Sequence, residues 1–161
     1  MIKVDEIDAH ILRLLQANGR MKRNRIAEEV GLSVPSVSER MRKLEERGVI
    51  EGYHAVVDAK RLHLDILAFI RVTVDGSERY PEFVQRATNL IGVLEVHSIT
   101  GDGTHILKIR TRNTTTLEAL LSTLQSWPGV HSTTTSITLS TFKETRTVEA
   151  TPTTLLSPQT A

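Results

Sequence analysis

The stretch RNRIAEEVGLSVPSVSERMR, from Arg23 to Arg42, constrains the fold more than any other part of this chain. Two helical periodicities meet in it at a glycine. Ile26, Ala27 and Val30 form one apolar stripe, and Val37, Met41 and Leu44, at i, i+4 and i+7, form a second. Gly31 ends the first helix, because glycine adopts left-handed backbone without a side-chain clash. Ser33 is placed to cap the second helix, and Pro35 falls in its first turn, where a missing N–H costs little. Ser36, Ser38, Glu39, Arg40 and Lys43 then point outward. A helical hairpin with a solvated face satisfies this pattern. A helix-turn-helix, whose second helix enters the DNA major groove, satisfies it too and also accounts for a small, polar, basic outer face.

Charge narrows the choice by its distribution rather than its sum. The net charge of the 161 residues is only +1. Between Arg20 and Lys43, however, seven basic residues (Arg20, Lys22, Arg23, Arg25, Arg40, Arg42, Lys43) face three acidic ones (Glu28, Glu29, Glu39). Such a concentration is the footprint of phosphate contact. Cysteine is absent, so there is no disulfide framework, thiolate metal site or thiol nucleophile. No apolar run approaches membrane-spanning length and no signal-peptide pattern opens the chain, so a soluble cytoplasmic protein with no membrane partner is expected. No cofactor and no metal site are expected either.

Taken in order, Asp5 caps a helix carrying Ile7, Ile11, Leu14 and Leu15, which completes a three-helix core. Val49-Ile50 and Tyr53 to Val57, separated by Gly52, read as a short hairpin or wing. A linker follows near residues 58–63. Leu64 to Val74 reads as a strand with an apolar face at period two and a second face made partly apolar by Leu67 and Phe69. Pro81 starts a helix. Val93 to Thr100 and Thr104 to Thr111 read as strands joined by Gly101-Asp102-Gly103, Asn113 caps a helix, and Val130 to Phe142 reads as the last strand. Strand, helix, strand, strand, helix, strand is the order of a ferredoxin-like βαββαβ module. The expected fold is α+β: a winged helix-turn-helix over residues 1–60, a ferredoxin-like domain over 61–142, and a Thr/Pro-rich tail over 143–161 whose composition favours mobility. Leu155-Leu156 is the tail's one apolar spot.

The chain resembles the leucine-responsive and asparagine-responsive (Lrp/AsnC, feast/famine) transcriptional regulators over roughly residues 4–142. The resemblance lies in VDEIDAHILRLLQANGR, GLSVPSVSERMRKLEERGVIEGYHAVVD, VHSITGDGTHILKI and WPGV. It implies an ACT-like sensing domain, dimers joined through their sheets and often grouped as octamers, and a small effector, commonly an amino acid. A dimer presents two recognition helices to successive major grooves, so the double-stranded operator is expected to be pseudo-palindromic. The candidate DNA-facing residues are Arg23, Arg25, Ser33, Ser36, Ser38, Glu39, Arg40, Arg42 and Lys43, with Arg40 expected to reach a base edge or its phosphate.

The candidate effector residues are Gly101, Asp102, Gly103, Thr104, Thr133 and Thr135. Backbone N–H groups of the turn suit a carboxylate, the Asp102 carboxylate suits an ammonium, and the two later threonines add hydroxyls. The family's turn often reads Gly-Asp-Tyr-Asp. Gly103 and Thr104 replace its aromatic wall and second carboxylate, so a weak or altered amino-acid response is expected. The same three residues also suit a plain hairpin turn.

Two other classes bear on the reading. An architectural protein that organises DNA without an effector needs the same basic helix and tolerates a degenerate turn. Relatives that decarboxylate sirohaem would need ligands such as His97 and His105, but the sequence offers no acid–base constellation, and no enzymatic activity is expected.

Overall fold

A computed structural model describes residues 3–153, and Leu155-Leu156 lies outside them. The chain divides into two compact units, one made of the residues up to Val56 together with the segment from Glu144 on, the other of Val57–Lys143.

The first unit is built on three helices, α1 (Glu6–Ala17), α2 (Arg23–Val30) and α3 (Val34–Glu46). Each starts or stops as its local chemistry requires. Asp5 caps α1 in a reciprocal box with Asp8. Gly31 closes α2 in left-handed backbone at φ 69°, and Ser33 caps α3 through the Ser36 N–H. Ile11, Leu15, Ile26, Ala27, Val37 and Met41 form the shared core. Complete burial of an isoleucine or valine contributes about 1.5–3 kcal/mol before packing terms, so these few side chains carry most of the unit's stability.

Two expectations fail in this unit. Among the described residues, no strand forms between Val49 and Val57. The N–H groups of Val49 and Ile50 both return to the Leu44 carbonyl, at 2.9 and 3.1 Å. Ile50 packs on the helical core, and Tyr53 donates its hydroxyl to Glu45, while Val56 lies fully exposed. A two-residue stub beside Gly52 has too few backbone groups to sustain a ladder, and the helices recruit them instead. The described part of the tail, expected to be mobile, docks on α1. Gln16 bonds both backbone groups of Val148, Arg13 donates to the Ala150 carbonyl, and Thr153 bonds Val4 through backbone and hydroxyl. Pro152 is buried beside them. Local composition does not reveal such a mooring, because α1 supplies the partners.

The second unit has a 3₁₀ turn at Lys60–Leu62 near its start. Its elements are β1 (Ile66–Val74), α4 (Tyr80–Asn89), β2 (Val93–Ser98), β3 (His105–Thr111), α5 (Thr114–Gln125) and β4 (Val130–Ile137). The sheet order is β2-β3-β1-β4, antiparallel throughout, as the ferredoxin-like order requires. β1 starts later than Leu64 because Leu64 closes the preceding turn onto Ala59. β4 stops at Ile137, opposite Ala68, where β1 is itself near its start. Ala68, Ile70, Val72 and Val74 of β1, with Leu107 and Ile109 of β3, face Phe83 and Ala87 of α4 and Leu117, Leu120 and Leu124 of α5. Leu67, Phe69 and Arg71 occupy the sheet's other face, where Phe69 is 38% exposed.

Candidate nucleic-acid interface and effector turn

The outer surface of α3 is defined by what its inner surface buries. Val37, Met41 and Leu44 face the core, so Pro35, Ser38, Glu39, Arg42 and Glu46 fall on the opposite stripe of a 3.6-residue helix. Ser33, Val34, Pro35 and Ser36 open the helix exposed to solvent, and in a helix-turn-helix this N-terminal end approaches base edges. Ser33 is engaged as the cap, its Oγ accepting from the Ser36 N–H at 3.3 Å.

The basic side chains of the interface fall into two groups. Arg23 is exposed at the start of α2. Arg25, Arg42 and Lys43 are each held by carboxylates of their own helix. Arg25 pairs with Glu28 and Glu29, and Lys43 lies 3.5 Å from Glu39. Arg42 grips Glu39 with a two-point fork, Nε to Oε2 at 2.9 Å and NH2 to Oε1 at 2.7 Å, and also meets Glu46. That fork holds the Glu39 carboxyl well below its ordinary value, at about 2. Exposed pairs of this kind contribute little and exchange readily, so phosphates or bases can displace them.

Arg40, expected to reach a base edge or its phosphate, is paired within its own unit. It sits beside the buried stripe, its side chain 30% exposed, with NH1 2.7 Å from Asp5 Oδ2 and 2.7 Å from Asp8 Oδ1. The sequence showed Asp5 as a cap and gave no sign of this second role, because the pairing spans 35 positions.

In the second unit, the candidate effector residues do not all converge. Ile99 and Thr104 close the hairpin between β2 and β3, the Ile99 N–H donating to the Thr104 carbonyl at 3.0 Å. Gly101 and Gly103 take φ 92° and 87°, where side chains are strained, and Asp102 is exposed between them. A Cβ at Gly103 would sit 3.1 Å from the Val72 carbonyl oxygen. Thr104 turns into the sheet: its hydroxyl donates to the Val72 carbonyl at 3.1 Å and accepts from the Val74 N–H at 3.1 Å. Converting the turn to the family's aromatic-acid form by Gly103→Tyr and Thr104→Asp, an obvious way to rebuild the pocket, would therefore strain the backbone and break these bonds. Thr133 and Thr135 pair with Val72 and Ile70 on the far side of β1. Those β1 residues belong to the helix-covered face, and Thr133 accepts there from Gln125 of α5. The two threonines thus stand across β1 from the turn, in the helix layer.

The sequence also left His105 as an ordinary sheet or surface histidine. It is fully buried against the rings of Tyr80 and Phe83, with Nδ1 2.8 Å from the Thr104 hydroxyl. Its period-two alternation with Leu107 and Ile109 was the available signal. Having given its proton to Val72, the Thr104 hydroxyl accepts from Nδ1–H, which leaves Nε2 a bare lone pair; among the described residues Nε2 has no hydrogen-bond partner. Burial pushes the His105 pKa below the usual histidine value. His97 pairs with Ile106 on the helix-free face, so the two histidines lie on opposite sides of the sheet and offer no shared ligand set.

A family model described as winged helix-turn-helix DNA-binding matches residues 4–51, and one described as the Lrp/AsnC ligand binding domain matches residues 67–148. The chain is 38% identical over 144 residues to the HTH-type transcriptional regulator FL11 of Pyrococcus horikoshii, covering 89% of this chain and 95% of that protein. It is 32% identical over 144 residues to the leucine-responsive regulatory protein of Escherichia coli, covering 88% of each. Among solved structures, the feast or famine regulatory protein of M. tuberculosis complexed with L-methionine superimposes with a TM-score of 0.84 at 30% identity, over 90% of this chain and 98% of that one. A DNA-binding helix-turn-helix and a ligand-binding domain in one chain define a transcriptional regulator. This chain belongs to the Lrp/AsnC family, whose members named above are regulators and not enzymes.

Proposed function

We propose that this regulator reads a pseudo-palindromic duplex as a homodimer, assembling further toward an octamer, and that its ligand-binding domain responds to a small effector of amino-acid type. The observation that carries the DNA reading is the α3 outer stripe, where Pro35, Glu39 and Arg42 are exposed and Ser38 is half-buried, with Ser36 exposed at the capped start of the helix. Arg42 is the arginine best placed to meet a guanine edge, because it lies opposite the buried stripe. Arg23, Arg25 and Lys43 supply phosphate contacts. A bidentate arginine–guanine contact discriminates by about 1–3 kcal/mol, whereas each phosphate contact adds about 0.9 to the salt slope. Arg42→Ala should accordingly relax sequence preference, and Arg23→Ala or Lys43→Ala should weaken all duplexes and flatten the slope. Fluorescence anisotropy on a duplex selected from a random pool, measured over a range of salt, checks this; unchanged preference in Arg42→Ala rejects the assignment.

The effector reading is supported by the L-methionine complex of the M. tuberculosis relative and by the exposed Asp102 between two positive-φ glycines. With Gly103 and Thr104 in place of an aromatic and an acid, a free amino acid gains less here than in a typical relative. Thermal shift with the twenty amino acids, followed by calorimetry on Asp102→Ala, tests it, since binding to the native state alone raises apparent stability. If Asp102→Ala and the wild type respond alike to every ligand that binds, the turn is only a turn. Footprints would then separate a regulator's compact site from the long, phased protection of an architectural protein. No described helix is long and apolar enough to cross a membrane, which agrees with a cytoplasmic place of action.

A further inference from the structure

The Arg40 cluster has a division of labour that single ion pairs lack. Asp5 uses Oδ1 to accept the Asp8 N–H at 2.8 Å, and Asp8 uses Oδ2 to accept the Asp5 N–H at 3.4 Å. These are the capping bonds of α1. The remaining oxygens, Asp5 Oδ2 and Asp8 Oδ1, both receive Arg40 NH1 at 2.7 Å. Two carboxylates at one helix start are favoured by the helix dipole but repel each other, and the guanidinium between them relieves that repulsion. The guanidinium also belongs to the recognition helix. Ile11, Leu15, Val37 and Met41 give the two helices apolar contact in the core they share. Apolar burial is non-directional and tolerates a helix sliding or rotating by a few degrees, whereas a charge-assisted fork does not.

We propose that Arg40 is a positioning residue for DNA recognition: it locks α3 to the capping carboxylates of α1, sets the rotation of the outer stripe, and makes no contact with DNA itself. Lys3, Glu39, Lys43 and Arg47 line the same cleft, so the lock lies among side chains that phosphates can reach. Arg40 stays on the aspartates because the capping bonds fix both carboxylates through their other oxygens.

The test compares two ways of opening the lock. Arg40→Ala removes the cation. Asp5→Asn with Asp8→Asn removes the negative charges while keeping a capping residue, since asparagine caps as well as aspartate. Each variant is measured, at a temperature where circular dichroism shows it fully folded, on a duplex selected by the wild type and on a mixed-sequence duplex. Both should lose about five- to twentyfold in the ratio of selected to mixed affinity, a loss inside the range that coupling between interacting residues produces. Their salt slopes should match the wild type. Arg40→Ala added to the double asparagine variant should have little further effect. Should Arg40→Ala prove unfolded, Arg40→Met, which keeps the apolar stem, takes its place. Tighter DNA binding by the asparagine variant, a salt slope lowered by about 1 in Arg40→Ala, additive losses, or an unchanged affinity ratio would each overturn the proposal. The first two would show Arg40 to be a DNA contact.

Discussion

Gln16 and Val148 are bonded twice: the Gln16 amide nitrogen donates to the Val148 carbonyl at 3.0 Å, and the Val148 N–H donates to the Gln16 amide oxygen at 2.8 Å. A glutamine side chain on α1 thus takes the place of a neighbouring strand and holds the segment after residue 147 against the helix. Each such bond contributes about 0.5–1.5 kcal/mol. Gln16→Ala should lower the stability of the helical unit by about 1–3 kcal/mol on that basis, and a chain ending at Thr147, which also loses the Ala150 and Thr153 bonds, by more. The segment should also become accessible to protease while the second unit's stability is unaffected. Urea unfolding combined with timed proteolysis measures both; a wild-type cleavage rate around Val148 in Gln16→Ala would contradict the mooring.

The two glycines of the effector turn should respond differently to substitution. Both have positive φ, but a Cβ at Gly101 meets nothing within 4 Å, whereas at Gly103 it meets the Val72 carbonyl at 3.1 Å. Gly101→Ala should cost about 1 kcal/mol of backbone strain, and Gly103→Ala distinctly more because the clash is added. Denaturant midpoints compared at constant m-value decide it, and equal costs would contradict the close approach.

His105 makes the second unit sensitive to mild acid. Its folded pKa lies below the unfolded value of about 6.5. The unfolded chain therefore binds the extra proton first. The stability of the neutral form is fully present above about pH 6.5 and is lost as pH falls from there through the folded pKa. His105→Leu should flatten this slope below about pH 6.5 in that linkage scheme. Asp5, whose partial burial is outweighed by the Asp8 N–H and by Arg40, is shifted down instead, so its stability is lost only below about pH 4. Denaturant midpoints taken along a pH series separate the two windows; an unchanged slope in His105→Leu would clear the histidine of this role.

Phe69 stands on the helix-free face of the sheet, opposite Lys108 of β3 and Ser136 of β4. The 13%-exposed Lys108 side chain is paired there with Glu95. If dimers form through this face, Phe69→Glu places a charge in the interface and should shift the protein toward an 18.0 kDa species. Light scattering of both proteins at micromolar concentration is the measurement. A wild type that is already monomeric would refute the dimer, and a variant that stays dimeric would move the interface elsewhere.

Much of this architecture was legible before any coordinates. The capped starts at Asp5, Ser33 and Asn113, the stop at Gly31, and the βαββαβ order all rest on chemistry within a few residues of each site, where periodicity and capping rules operate. The wing failed at the same range, because a stub beside Gly52 lost its backbone groups to Leu44. The site was less legible. Arg40 and Arg42 are two positions apart on one helix; the helical period sets Arg42 opposite the buried stripe and Arg40 beside it, but nothing local shows that Arg40 meets Asp5 and Asp8. Thr133 and Thr135 share a face of β4, yet which face that is depends on their register with Val72 and Ile70.

What the sequence determined by itself, then, was the set of helices and strands, their order, and the basic recognition helix, because short-range hydrogen bonding and apolar spacing decide these. Only the tertiary structure decided that the segment around Val148 is moored, that among the described residues His105 is buried without a partner for Nε2, that Thr104 is bonded into β1, and that Arg40 meets Asp5 and Asp8. Each of these depends on a partner more than 20 residues away or on which side of a sheet the core lies. Packing of the whole unit settles that, since a polar group goes wherever its bonds are best satisfied once the apolar faces have closed.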